Sequence, residues 1–210
     1  MRAFEAPRAA PAIAALLPST PFVGPEELAR RTGQTALLRL GANESPFGPP
    51  PRAIEAMRAE LERTSWYGDP ESMQLREALA ARHACDVVNI TVAAGIDDLL
   101  ALTVRGYLAP GEVTVATLGS YPTYVYHVTG FGARLEAVPY ERDGSVALER
   151  LAERAHAAGA RLVYLANPDS PSGSFAPRAA VEALVAALPR GAALVLDEAY
   201  ADFVAPGELL

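Results

Sequence analysis

The sequence predicts an α/β fold, a mostly parallel sheet with helices on both faces. Three observations predict it. Short apolar runs alternate with stretches whose apolar residues recur at helical spacing. The links between them are short, and Gly or Pro closes most of the helical stretches. Polar clusters follow directly on the apolar runs, on the side where such sheets bind ligands.

Taken in order, residues 1–50 are rich in Pro and Gly and read as an N-terminal arm. They carry one helical stretch, GPEELARRTG, with Pro25 suited to a first turn and Gly33 as its stop. From Pro51 to Leu210 the alternation is regular. PRAIEAMRAELERT and ESMQLREALAARHA have helical spacing, and NITVAAG, centred on residues 90–94, is strand-like. The helix IDDLLALTVRGYLAPG follows, then the strand EVTVATL and the helix YPTYVYHVTGFG. RLEAVPY is a strand, VALERLAERAHAAG a helix and RLVYLANP a strand. The helix PRAAVEALVAALPRG leads to the last strand, AALVLDEAY.

Composition narrows the function. Half of the 210 residues are hydrophobic, enough to bury a substantial core. A net charge of -7 argues against a nucleic-acid surface. The segment APAIAALLP is too short and too interrupted by Pro to span a membrane, and it lacks the charge of a signal peptide. A single cysteine, Cys85, excludes an internal disulfide and fits a reducing compartment, so a cytoplasmic location is expected. Cys85 reads as a small packed residue, and His83, His127 and His156 as surface or packing residues. Neither G-x-G-x-x-G nor G-x-x-x-x-G-K-[ST] occurs, which argues against a nucleotide-binding domain.

Two features carry chemistry. Gly95-Ile96-Asp97 opens a helix directly after an apolar run, placing backbone N–H groups and a positive dipole end where a phosphate can bind. An ordinary helix cap by Asp97 or Asp98 is the competing reading. Asp197 ends an apolar strand, where a carboxylate is costly unless a cation or hydrogen-bond donors meet it.

Six segments in order, LGANESPFGPP, WYGDPES, AAGIDD, LGSYPTY, NPDSPSG and DEAYADF, resemble the fold-type I pyridoxal-phosphate aminotransferases, closest to the histidinol-phosphate aminotransferase group. The resemblance spans roughly residues 37 to 204. It implies pyridoxal 5'-phosphate as cofactor, held by phosphate, ring nitrogen, phenolic oxygen and aldehyde. It implies that the Gly95-Ile96-Asp97 turn holds the phosphate and that Tyr124 stacks on the ring. It implies too that Asp197 pairs with the protonated pyridine nitrogen and that Tyr200 hydrogen-bonds the phenolic oxygen. Ser170 stands where the family has an asparagine donating to that oxygen; its hydroxyl is a shorter and less directional donor. Tyr67 matches a tyrosine that reaches a cofactor phosphate across a dimer interface, and Asn43 an asparagine near the substrate.

The resemblance further implies an amino donor and a 2-oxo acid as small-molecule partners, and a homodimer. No catalytic residue is nominated, because the family's Schiff-base lysine has no counterpart: all eighteen basic residues are Arg. Residues 51–210 therefore read as part of a cofactor-binding large domain, lacking its C-terminal part and the small domain. A chain of this kind is expected to leave the strand at residues 90–94 without its neighbours and the AALVLDEAY strand as an exposed apolar edge, and to be inactive alone. A non-catalytic cofactor-binding or dimerisation module, and part of a related phospho-amino-acid decarboxylase, are the competing readings.

Overall fold

The computed structural model describes residues 8–16, 23–34, 41, 43–205 and 207–209. Leu40 and Ala42 of the LGANESPFGPP segment lie outside them. The chain divides into two compact units, Thr20–Val92 and Met1–Ser19 with Ala93–Leu210.

The helix α1 (Pro11–Ala14) belongs to the sheet unit and packs on a later helix of it. The first helix of the other unit is α2 (Pro25–Thr32), with Pro25 in its first turn and Gly33 closing it in the left-handed conformation. It is followed by α3 (Pro51–Glu60) and α4 (Met73–His83). Asp69 satisfies the start of α4, its carboxylate accepting the N–H groups of Glu71 at 3.0 Å and Met73 at 2.7 Å. Arg76 ties α4 to the chain beyond it by donating to the carbonyls of Val87 and Ile90. Cys85 is exposed, not packed as the sequence suggested. It follows Ala84, which ends α4 in the left-handed conformation at φ 51°.

The strand-like segment at residues 90–94 forms no strand, in line with the expected loss of its neighbours. Ile90 has extended dihedrals, but no described strand lies beside this segment, and an extended segment without a ladder partner is not a sheet strand.

In the sheet unit α5 (Ile96–Tyr107) leads to β1 (Val113–Thr117), α6 (Pro122–Phe131) and β2 (Arg134–Val138). Then come α7 (Leu148–Ala158), β3 (Leu162–Ala166), α8 (Arg178–Ala187) and β4 (Ala193–Asp197). The strand order is β2-β1-β3-β4, and every neighbouring pair is parallel. Strand alternation sends side chains to two cores. Val113, Val115, Val163 and Leu165 meet Leu151 of α7 with Val181 and Leu184 of α8. On the other face Ala116, Leu162, Tyr164 and Ala166 meet Leu100 and Val104 of α5 with Tyr124 and Val128 of α6. Helices thus cover both faces, which is why β1 and β3 are buried at every position. By contrast β4 is only half-buried along Ala193–Leu196 and has β3 as its one described neighbour, as expected of an edge.

Chain order reverses between β1 and β3. A crevice opens at such a reversal, outside the carboxyl ends of the strands. The loops after β1, β3 and β4 and the start of α5 supply the polar groups considered next.

Candidate functional site

Asp197 is the last residue of β4 and pairs in register with Ala166. That register points its side chain to the α5/α6 face, where Tyr164 also points. The carboxylate is 7% exposed and has two donors. Tyr164 donates its hydroxyl to Oδ2 at 2.7 Å, and the Ala199 N–H donates to Oδ1 at 3.0 Å. Among the described residues no basic side chain forms an ion pair with it. Burial without a cation is tolerated because both oxygens are hydrogen-bonded, and a carboxylate oxygen can accept a second donor.

Tyr164 is 1% exposed. Burial, then the Asp197 charge, pushes its phenol far above the ordinary tyrosine range, so it stays a neutral donor. Its ring stacks on Tyr124 with centroids 4.3 Å apart and planes 14° apart.

This stacking corrects the expected role of Tyr124. Tyr124 has no exposed surface, one ring face is against Tyr164, and its hydroxyl is 2.6 Å from Thr114 Oγ1 deep on β1. It is a core residue, with no open face for a cofactor ring. Tyr121 instead stands at the strand ends. It is half-buried just before α6, and its hydroxyl donates to Asp97 Oδ1 at 3.0 Å. Burial chiefly raises its phenol pKa, and the negative charges of Asp97 and Asp197 raise it further. Tyr121 therefore lies within electrostatic reach of both carboxylates.

Gly95 precedes α5 at φ 86° and ψ -178°, a region only glycine enters freely. A side chain built there meets nothing within 4 Å, so the turn faces open space. No side chain caps α5. Asp98 accepts from the Ala94 N–H, ahead of the helix, at 3.2 Å, and Asp97 is engaged by Tyr121. The capping reading of this turn therefore fails, and the first-turn N–H groups have no partner within the helix. Gly95 and Asp97 are exposed, and Ile96 is 37% exposed.

Ser170 follows β3 and is half-buried, with no side-chain hydrogen bond among the described residues. Its neighbour Asp169 is 4% exposed. Asp169 Oδ2 accepts from Tyr140 at 2.7 Å and from the Ser172 hydroxyl at 2.7 Å, fixing the loop. Tyr200 follows β4 and is half-buried, its ring tilted against Phe203 with centroids 6.4 Å apart. Tyr67 and Asn43 are exposed and belong to the other unit.

The sheet unit thus gathers Asp97, Tyr121, Asp197 and Tyr164 at one end of one face. The sequence reading missed Tyr121 and Tyr164. Tyr121 lies in the same LGSYPTY segment, three residues before the tyrosine chosen. For Tyr164 the signal was a phenol in the middle of an otherwise apolar strand. His83 and His156 are exposed, and His127 is half-buried on α6. Two cavities of about 190 and 230 Å³, one beneath Asn167 and one beside His127, both leave Asp197 outside their walls. Among the described residues no cluster of metal-ligating side chains occurs. None of the described helices is long and apolar enough to cross a membrane.

Comparison with known proteins gives consistent matches. The family described as aminotransferase class I and II matches residues 35–209. The histidinol-phosphate aminotransferase of Roseiflexus castenholzii is 39% identical over 199 residues, covering 92% of this chain and 53% of that protein. Histidinol-phosphate aminotransferase 2 of Pseudomonas aeruginosa is 36% identical over 203 residues, covering 96% of this chain and 54% of that protein. The crystal structure of histidinol-phosphate aminotransferase from Sinorhizobium meliloti in complex with pyridoxal-5'-phosphate superposes with a TM-score of 0.90. It is 44% identical and covers 96% of this chain and 53% of that one. The chain spans about half the length of the curated relatives it matches.

Proposed function

The chain belongs to the class I and II aminotransferases, and from that premise we propose that it carries the cofactor cradle of a pyridoxal-phosphate-dependent aminotransferase. The reaction moves an amino group between an amino acid or amino-alcohol phosphate and a 2-oxo acid. The observation that carries the reading is the buried Asp197 carboxylate on one face with Tyr121 and Asp97, beside the open Gly95 turn.

The residues present fit the cofactor. Its phosphate takes the first-turn N–H groups of α5, which no side chain caps. Tyr121, a half-buried aromatic, would lie along its ring, and Asp197 would meet its nitrogen. Tyr200 and Ser170 serve the phenolic oxygen. When bound, the cofactor supplies an electrophilic aldehyde and a ring that draws electrons from the substrate carbon. What this chain contributes is orientation and charge. With the cofactor bound, Asp197 would hold a proton at the ring nitrogen, Tyr121 would exclude water from one side, and the α5 terminus would anchor the phosphate. With no lysine in the sequence, the chain has no ε-amine to hold the aldehyde or to move a proton. By itself it binds without turnover. Tyr67 and Asn43 serve the phosphate and substrate of a homodimer in the cytoplasm.

Equilibrium titration tests the reading. Pyridoxal 5'-phosphate should bind more tightly than its phosphate-free form, and Asp197→Ala should weaken both. Equal affinity for the two forms, with no effect of D197A, would remove the cradle assignment.

A further inference from the structure

Asp197 is the group through which the chain addresses the cofactor ring, yet nothing in its own strand fixes the carboxylate. Its Oδ1 is bound by a backbone N–H two residues on. That contact sets one oxygen and leaves the carboxylate free to rock about it. Among the described residues the second oxygen is fixed only by the Tyr164 hydroxyl, at 2.7 Å and from a different strand.

We infer that Tyr164 is a positioning residue that holds the Asp197 carboxylate in one orientation, aimed at the place of the cofactor's ring nitrogen, before any cation arrives. This rests on the cofactor reading above. Three observations support it. The hydroxyl has no other partner among the described residues, so it is dedicated to Asp197. The ring is itself immobilised, 1% exposed and stacked on Tyr124, so the donor cannot follow a moving carboxylate. Burial and the nearby charge keep the phenol protonated through the neutral range. The charged and titratable groups facing this pair are Tyr121 from the start of α6, Asp169 from the loop after β3 and, through Tyr121, Asp97 from α5. All are acidic or neutral, so none replaces Tyr164 as a donor fixed by packing.

The role is distinct from packing. A residue that only fills space beneath α6 is replaced without loss by Phe, which keeps the stack on Tyr124. A positioning residue is not, because Asp197 Oδ2 loses the donor that sets its angle.

The test is Tyr164→Phe in the full chain, read in two ways. Without cofactor, three-bond NMR couplings of Asp197 should show one χ1 rotamer in the wild type and averaging between rotamers in the variant. With ¹⁵N-labelled pyridoxal 5'-phosphate bound, the ring-nitrogen protonation midpoint should fall by about one pH unit in the variant, tenfold in proton affinity. A single unchanged rotamer in Y164F overturns the inference. So does a midpoint that stays put or rises; a rise would mean that Tyr164 competes with the ring for Asp197. If Y164F does not fold, the wild type decides the matter. With Tyr164 labelled by ¹³C at Cζ, cofactor binding should leave the phenol resonance in place, and a large shift would mean that Tyr164 releases Asp197. Failure of the wild type to bind cofactor would overturn the proposed function and leave the rotamer measurement to decide Tyr164 alone.

Discussion

Raising the pH through the tyrosine range should destabilise this protein in part through Tyr124, and Tyr124→Phe should remove that part of the sensitivity. Tyr124 is fully buried, and burial pushes its phenol up to about 12, with Thr114 opposing. In the unfolded chain it ionises near ~10. A group whose folded pKa is raised gives stability that is complete below the unfolded pKa and lost as pH rises through the folded one. The window is therefore about pH 10 to 12. A gap of about two units corresponds to ~2.7 kcal/mol in full, and about half of that is lost by pH ~11.

The variant loses the hydrogen bond to Thr114. Either hydroxyl of the Thr114–Tyr124 pair can donate, and Thr114 Oγ1 also lies 3.2 Å from the Leu162 carbonyl, so Thr114 keeps a partner when the Tyr124 hydroxyl goes. The cost is about 1 kcal/mol, and it does not vary with pH. Wild type should thus be more stable by about 1 kcal/mol at neutral pH, and the two should cross near pH ~11. Urea unfolding followed by far-UV circular dichroism at a series of pH values reads this as a difference in midpoints. Other tyrosines titrate equally in both proteins and cancel. A difference that stays constant from neutral pH to the alkaline end would refute the assignment of Tyr124 to the core.

Gly95→Val should destabilise the sheet unit by ~1–3 kcal/mol, because its φ of 86° suits glycine and not a β-branched residue. It should also abolish the preference for pyridoxal 5'-phosphate over the phosphate-free form; thermal melts and titrations measure both. Leu151→Ala removes a side chain with no exposed surface from the α7/α8 core, and chemical denaturation should show a loss of about 2–5 kcal/mol. The purified chain should not transaminate above a cofactor-only blank, since a positioned proton-transfer base contributes about 10²–10⁴-fold and no lysine is present. Borohydride reduction that left cofactor mass on an internal peptide would contradict this.

Much of the fold is legible in the residues themselves. Val113–Thr117 and Leu162–Ala166 are buried throughout because helices cover both faces of β1 and β3, and such mainly apolar runs announce buried strands wherever they fall. Helix ends were equally local. Gly132 and Gly159 stop α6 and α7 in the left-handed conformation, which glycine adopts without strain. Asp197 was found for the same reason, since a carboxylate closing an apolar run is visible without knowing any neighbour.

Neighbours were what the sequence lacked. Residues 90–94 have the composition of a strand, but strandhood needs a ladder partner, and the described sheet gives them none. Tyr121 and Tyr124 sit three residues apart at the start of one helix, so periodicity places both toward the same side. Only the seating of α6 on the sheet sends Tyr124 down to Thr114 and leaves Tyr121 at the strand ends with Asp97. The bond between Tyr164 and Asp197 joins residues 33 apart, through a register that β3 and β4 acquire only when they pair. Residue types and their local order determined the elements and the strand-end carboxylate. Pairing and packing, which couple distant residues, decided which tyrosine enters the core, which one meets the site and what holds Asp197.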